Sequence, residues 1–273
     1  MIPKNTRENI CRRYQKLAKI LLVAKEFNIN EKTVRNILKE YGVKTTPREF
    51  RNKKYSIDPL FFRDMNKEKA YMLGFIYGDG SVNDNSLSIE ISTKDEYILD
   101  VFRSMLGDNP PPIYRRVRKR KGTITKSSSL VLCGHDLVKN LADVGLMKNK
   151  SAKIKYPNIK HHRDFIRGLS DSDGCIRIDK NNRALWSLIS SHSICNSVCN
   201  ILSNIGVLSC VKRTRYKGLS RVLITRKSEI IKLRDYLYDG DCPCLERKRV
   251  IFFDVHYRIH SKYAFANAKG GEG

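Results

Sequence analysis

The sequence predicts an α+β protein made of one unit used twice, placed behind a small all-helical domain. Three observations carry this. MLGFIYGDG at 72–80 and IRGLSDSDG at 166–174 share one plan, an apolar segment with small residues four apart that runs into Asp-Gly. The elements that follow each motif recur in the same order, which chance seldom provides over a long run of matched features. Ahead of both, residues 6–42 carry a helical stripe with a single interruption.

In the leading segment Ile10, Leu17, Ile20, Leu21, Ala24 and Phe27 fall on one helical face, Asn28-Ile29-Asn30 interrupts, and Val34, Ile37, Leu38 and Tyr41 resume. Asn30 suits an N-cap and Gly42 a stop. Ala24, four before Asn28, permits close helix crossing, and Ile29 plugs the corner, so 1–45 reads as a helix-turn-helix domain. Its second helix projects Lys32, Thr33, Arg35 and Asn36 outward as candidate DNA contacts. A helical cap that touches no DNA is the other reading. Residues 46–66, a mixture of Thr, Arg, Asn and Lys with Pro47 and Pro59, read as a basic linker.

The first unit, 67–158, is expected to run from the motif helix through strands around 81–93, a helix over 96–106, a basic strand over 112–121, a strand over 128–133 and a helix over 135–144. The second, 159–257, repeats that order with strands around 175–190, a helix over 194–205, a basic strand over 210–218, a strand over 220–225 and a helix over 228–237. The tail, 258–273, is expected to fray.

Gly74 and Gly78, matched by Gly168 and Ser172, lie four apart and so share a helix face; two such faces let backbones approach and form a seam between the units. Gly80 and Gly174 suit a left-handed turn into the first strand. Asp79 and Asp173 then meet at one end of the seam, where both helix termini carry partial negative charge. A hard divalent cation relieves the repulsion. Mg2+, with Mn2+ as the alternative, accepts one or two carboxylates together with phosphate oxygens and water. Either Asp alone reads as an ordinary loop carboxylate before a turn Gly; recurrence in matched context argues for the metal.

Arg116, Arg118 and Arg120 alternate along one face of the first basic strand, and Arg213, Arg215 and Lys217, with Lys212 beside them, do so in the second. Sheets carrying them fit a major groove, where Arg and Lys read guanine edges and hold phosphates. A sheet edge guarded by charge is the bland alternative. Lys and Arg number 53 against 28 Asp and Glu, a net charge of +25 spread along the chain, which favours a nucleic-acid partner over an acidic small molecule or a membrane. No apolar run approaches the roughly 20 residues of a membrane span. The 8 cysteines include no CxxC pair and the first residues lack an apolar signal core, so a reducing interior is expected: bacterial or phage-infected cytoplasm and nucleoid, or an organelle matrix.

These residues resemble the LAGLIDADG homing endonucleases, specifically single-chain members with two motif copies. MLGFIYGDG agrees with the consensus at Gly74, Ile76, Asp79 and Gly80, and IRGLSDSDG at Gly168, Leu169, Asp171, Asp173 and Gly174; Tyr77 departs where the consensus has an earlier Asp. The resemblance implies a pseudo-twofold pair of αββαββα units whose sheets form a saddle over double-stranded DNA. It implies that Asp79 and Asp173 are catalytic metal ligands, with Gly78 and Ser172 beside them at the metal. Basic residues near the end of each unit, Lys148 or Lys150 and Lys248, are implied to contact water around the metals. Thr93 with Lys94, and Ser191 with His192, are candidates for ordering water. The implied activity is site-specific hydrolysis of both DNA strands by a monomer on a long, mostly asymmetric target, leaving 3′ overhangs, in the service of intron mobility. The alternatives are an intron maturase bound to intron RNA, a non-cleaving regulator of the same fold, and a zinc nuclease using His161, His162 and Cys242, which lacks ligand spacing.

Overall fold

The computed structural model describes residues 2–17, 20–43, 45, 55, 57–120, 122–147 and 153–255. The chain divides into two compact units, Met1–Lys54 and Tyr55–Gly273.

Among its described residues the first unit holds the helical segments α1 (Lys4–Leu17), α2 (Ile20–Glu26) and α3 (Glu31–Glu40). Its core is Ile10, Cys11, Tyr14, Ile20, Val23, Ala24, Val34, Ile37 and Leu38. The tight turn between α2 and α3 follows from local chemistry. Asn28 takes φ +51, a left-handed value that Asn tolerates. Ile29 donates its N–H to Ala24 O at 3.0 Å and packs against the core. Asn30 then caps α3 by accepting from Thr33 N at 2.7 Å. Leu21, which spacing puts on the apolar stripe, is 53% exposed.

The second unit contains two copies of one order, αββαββα. The first is α4 (Lys67–Asp79), β1 (Gly80–Asn83), β2 (Ser86–Ser92), α5 (Tyr97–Ser104), β3 (Ile113–Arg120), β4 (Thr123–Cys133) and α6 (His135–Leu141). The second is α7 (His162–Ser172), β5 (Gly174–Ile178), β6 (Ala184–Ser191), α8 (His192–Asn204), β7 (Cys210–Arg213), β8 (Leu219–Ile224) and α9 (Lys227–Leu237). Each copy builds an antiparallel four-stranded sheet, ordered β1-β2-β4-β3 and β5-β6-β8-β7. Leu87, Ile89, Leu130 and Leu132 on the first sheet, and Trp186, Leu188, Val222 and Ile224 on the second, turn one face of each into the shared core. The segment 57–66, expected within the linker, belongs to this unit, because Phe61 and Phe62 are buried in its core.

The two motif helices are the centre of the unit. Residues Ala70–Tyr77 of α4 are buried on every side, as befits a helix packed against its own sheet and its twin. A Cβ on Gly74 would collide with the Phe165 carbonyl oxygen and come 3.0 Å from Leu169 N; one on Gly168 would collide with the Tyr71 carbonyl oxygen and come 2.8 Å from Phe75 N. Gly74 and Gly168, Tyr71 and Phe165, and Phe75 and Leu169 are matched positions of the two copies. The contact is therefore reciprocal, backbone on backbone, about a pseudo-twofold axis. Gly80 and Gly174 are needed for a different reason from the one spacing suggests. Gly80 is extended, φ −78 and ψ 144, and neither glycine has positive φ. Instead, a Cβ there would strike the carbonyl oxygen of Ile76 or Ser170, four residues back in the helix.

Gly74→Ala and Gly168→Ala are each expected to cost about 2–3 kcal/mol or to prevent folding, since backbone atoms cannot yield as side chains do. Gly134→Ala, whose Cβ would meet only ordinary contacts from 3.5 Å, is expected to stay within about 1 kcal/mol. Urea denaturation midpoints compare the three variants.

Candidate metal and nucleic-acid site

Asp79 is the last residue of α4, and Asp173 caps the end of α7. Both are exposed. The two ends touch: a Cβ on Gly78 would collide with Ser172 Oγ and lie 3.0 Å from the carboxyl carbon of Asp173. Ser172 turns its own hydroxyl back along the helix, donating to Gly168 O at 3.1 Å and Leu169 O at 3.2 Å. Two carboxylates thus stand at the negative ends of two converging helices.

Lys248 compensates part of that charge from below. Its ammonium is buried and donates to the carbonyl oxygens of Ser170 at 2.9 Å and Asp171 at 2.5 Å, orphan acceptors of the α7 terminus, and to that of Gly174, the first residue of β5, at 2.6 Å. Burial pulls its pKa below the ordinary lysine value, while the charges of Asp171 and Asp79 oppose that shift. Lys248 is therefore a helix cap beneath Asp173. Lys148 and Lys150 lie outside the described residues.

The position two before each motif aspartate differs between copies in hydrogen-bond polarity. Tyr77 donates its hydroxyl to Val144 O at 2.6 Å. Asp171 at the matched position accepts, from Leu245 N at 2.8 Å and from the Tyr71 hydroxyl of α4 at 2.8 Å. Burial raises the Asp171 pKa to about 6 against those hydrogen bonds and the nearby Lys248 and Arg167 charges. Arg167, wholly buried, pairs with Asp164 at 2.8 Å and donates to Leu237 O and Pro243 O, both at 2.9 Å. Spacing alone did not reveal this scaffold, because a buried Arg in a motif helix looks like any surface Arg in sequence.

Beside Asp79 opens a cleft of about 600 Å³ lined by Glu90, Ser92, Asp95, Ser127, Ser172 and Arg247, among others. Arg247 Nε holds both carboxyl oxygens of the buried Asp95 at 3.0 Å, tying the chain after α9 to the first copy. Thr93 accepts from the Ser128 hydroxyl at 3.2 Å, and Ser191 caps α8 by accepting from Ile194 N at 3.1 Å. His192 is engaged with Ser220 at 2.9 Å and Asn196 at 3.1 Å.

Strand register decides which cations face away from the core. Arg116 and Arg118 pair with Ser127 and Thr125 on the outward face of the first sheet, and both are exposed. Arg120 pairs with Thr123 in the same phase. Arg118 reaches Glu90 at 3.1 Å, and Ser127 donates to Glu90 at 2.7 Å, so three strands are bridged on that face.

The second basic strand is shorter than its sequence suggests. β7 ends at Arg213, and Arg215 and Lys217 lie in the turn to β8 instead of alternating along a strand. Thr214 causes this: its N–H reaches Leu219 O at 3.2 Å, its hydroxyl accepts from Tyr216 N at 3.2 Å, and Gly218 closes the turn with φ +81. Arg215 stacks 4.9 Å over the Tyr216 ring. Arg213 pairs with buried Ser220 and so falls on the helix side of the sheet. Lys212, paired with Arg221, is outward, as is Arg177. Sequence reasoning passed over Arg177 and Arg221; alternation counted from the apolar residues Ile176 and Val222 was the available signal.

In the first unit Lys32, Arg35 and Asn36 are exposed on α3, with Arg35 paired to Glu31 at 2.9 Å. The Thr33 hydroxyl is taken up by the Asn30 cap at 2.9 Å.

The donors at Asp79 and Asp173 are oxygens only: two carboxylates and the neighbouring carbonyls. Among the described residues no three His, Cys, Asp or Glu side chains gather as a metal cluster. No described helix is long and apolar enough to cross a membrane.

A family model for the LAGLIDADG-like domain matches residues 66–144 and 160–238, one match per copy and more than half of the chain together. The protein belongs to the LAGLIDADG family. No curated protein matches it. Among solved structures, the LAGLIDADG meganuclease I-AabMI bound to uncleaved DNA is similar at 14% identity over 72% of this chain and 92% of that one, with a TM-score of 0.47. The LAGLIDADG homing endonuclease I-SmaMI bound to cleaved DNA is similar at 11% identity over 71% and 88%, with a TM-score of 0.45.

The raised pKa of Asp171 makes a signed prediction. Its folded value, about 6, exceeds the unfolded 3.8, so between these pH values the folded protein holds more protons and this group's contribution to stability falls as pH rises. Asp171→Asn removes that component. The stability of the native protein minus that of the variant is expected to drop from pH 4 to 6.5 by on the order of 1–3 kcal/mol, read from urea titrations.

Proposed function

We propose that this LAGLIDADG protein is a monomeric, site-specific endonuclease that hydrolyses both strands of duplex DNA with Mg2+ and leaves 3′ overhangs. The observation that carries this reading is the meeting of Asp79 and Asp173 at the ends of two helices whose backbones touch, between two sheets that each present outward cations. Two antiparallel DNA strands offer two scissile phosphates related by a twofold axis, and the protein has its own pseudo-twofold axis through the seam.

Asp79 and Asp173 would hold Mg2+ together with carbonyl oxygens of Gly78 and Ser172. The ion supplies polarisation of the phosphate, a hydroxide at neutral pH and stabilisation of the leaving oxygen. Lys248 offsets the partial charge of the α7 terminus and so keeps Asp173 in place. Arg116, Arg118, Arg177, Lys212 and Arg221 bind phosphates and base edges along the two grooves. Arg215 and Lys217 in the β7–β8 turn, and Lys32, Arg35 and Asn36 on α3, extend the footprint. The surrounding cell interior is reducing, in keeping with 8 thiols of which none is paired.

Asp79→Asn and Asp173→Asn are each expected to lower cleavage by at least on the order of 100-fold while changing duplex affinity by less than about threefold. A randomised duplex library, cut in Mg2+ and sequenced at the ends, supplies the substrate for both measurements. Full cleavage by either variant would falsify the assignment of the aspartates.

A further inference from the structure

The outward faces of the two sheets are chemically unlike. On the first, register brings out Ser88, Glu90, Arg118, Ser127 and their polar neighbours, and Val131 is the one aliphatic side chain among the described residues of that face. On the second, the outward positions include Leu185, Ile189 and Leu223. These three are partly exposed, opposite in phase to Trp186, Leu188, Val222 and Ile224, and absent from the apolar residues packed against the core.

Cations border these apolar side chains. Ile189, Arg221 and Lys212 form one row across β6, β8 and β7, and Leu185 sits opposite Arg177. Among the described residues no carboxylate is paired with Arg177, Lys212 or Arg221, whereas Arg118 on the other sheet is held by Glu90 at 3.1 Å. An occupant of the second face must therefore offer anionic and apolar groups a few ångströms apart. A duplex major groove does so where thymine occurs, with its 5-methyl group beside the backbone phosphates.

We propose that the second sheet reads its half of the target through thymine methyl groups, whereas the first reads its half through hydrogen bonds to base edges. This rests on the duplex-binding part of the function proposed above. It predicts a target whose two halves differ in how they are recognised as well as in sequence. Thymine to deoxyuridine exchange is the discriminating probe, because it removes the methyl and leaves every base-edge donor and acceptor.

The experiment selects bound duplexes from a randomised library with the full chain, without divalent metal so that nothing is cut. Thymines in one half at a time are then replaced by deoxyuridine. Replacement in one half is expected to weaken binding about fourfold per contacted methyl, with less than about twofold change for the other half. Leu185→Ser/Ile189→Ser/Leu223→Ser alters outward positions only; it is expected to bind with equal sensitivity of the two halves and to relax the selected sequence in that one half. Equal sensitivity of both halves in the native protein, sensitivity in neither, or asymmetry that survives in the triple variant overturns the inference alone. Failure to enrich any duplex overturns the duplex-binding reading and the inference with it.

Discussion

The structure of the second unit depends on one contact, the approach of the α4 and α7 backbones where Gly74 faces Phe165 and Gly168 faces Tyr71. No side chain mediates it, so its geometry follows from backbone dimensions and tolerates no added atom. Everything near the candidate site is measured from this seam. Each helix has about one more turn to run from the glycine before it reaches its aspartate, and with the same number of residues on either side the two carboxylates arrive together. Each sheet hangs from the strand that leaves its helix directly, β1 at Gly80 and β5 at Gly174.

Close approach has an electrostatic cost. Two helix termini and two carboxylates of like sign converge, and the protein meets this asymmetrically. In the second copy Lys248 threads its ammonium among the terminal carbonyls of α7, and Asp171 collects donors from both copies. In the first, Tyr77 at the position matching Asp171 offers a hydroxyl instead. The duplication therefore preserves the seam and the acids while the supporting hydrogen bonds have diverged. The same holds for the sheets, which share topology but present different outward surfaces.

Much of the fold was legible because the informative residues are constrained by short-range geometry. Gly74, Gly168 and the paired Asp-Gly sequences can be read as a close-packed helix end, and Asn28 and Asn30 as a turn and a cap. The order of elements in both copies followed from period and punctuation. What escaped is governed by tertiary neighbours. Thr214 ends β7 through a local side-chain turn, which moves Arg215 and Lys217 off the strand. Arg213 changes face for want of one register unit, while Arg177 and Arg221, unremarkable in sequence, become outward cations. The family resemblance singles out Lys248 as a basic residue near the end of the second unit, but its burial against four carbonyls depends on tertiary contact with a helix more than seventy residues earlier in the chain.

The central claim is that Asp79 and Asp173 share one divalent-metal centre at the end of the glycine seam. Anomalous diffraction from crystals of the protein soaked in Mn2+ tests it most directly. The account predicts anomalous density in direct contact with the carboxylates of both residues. Density confined to other side chains, or two aspartates too far apart to share a centre, would contradict it.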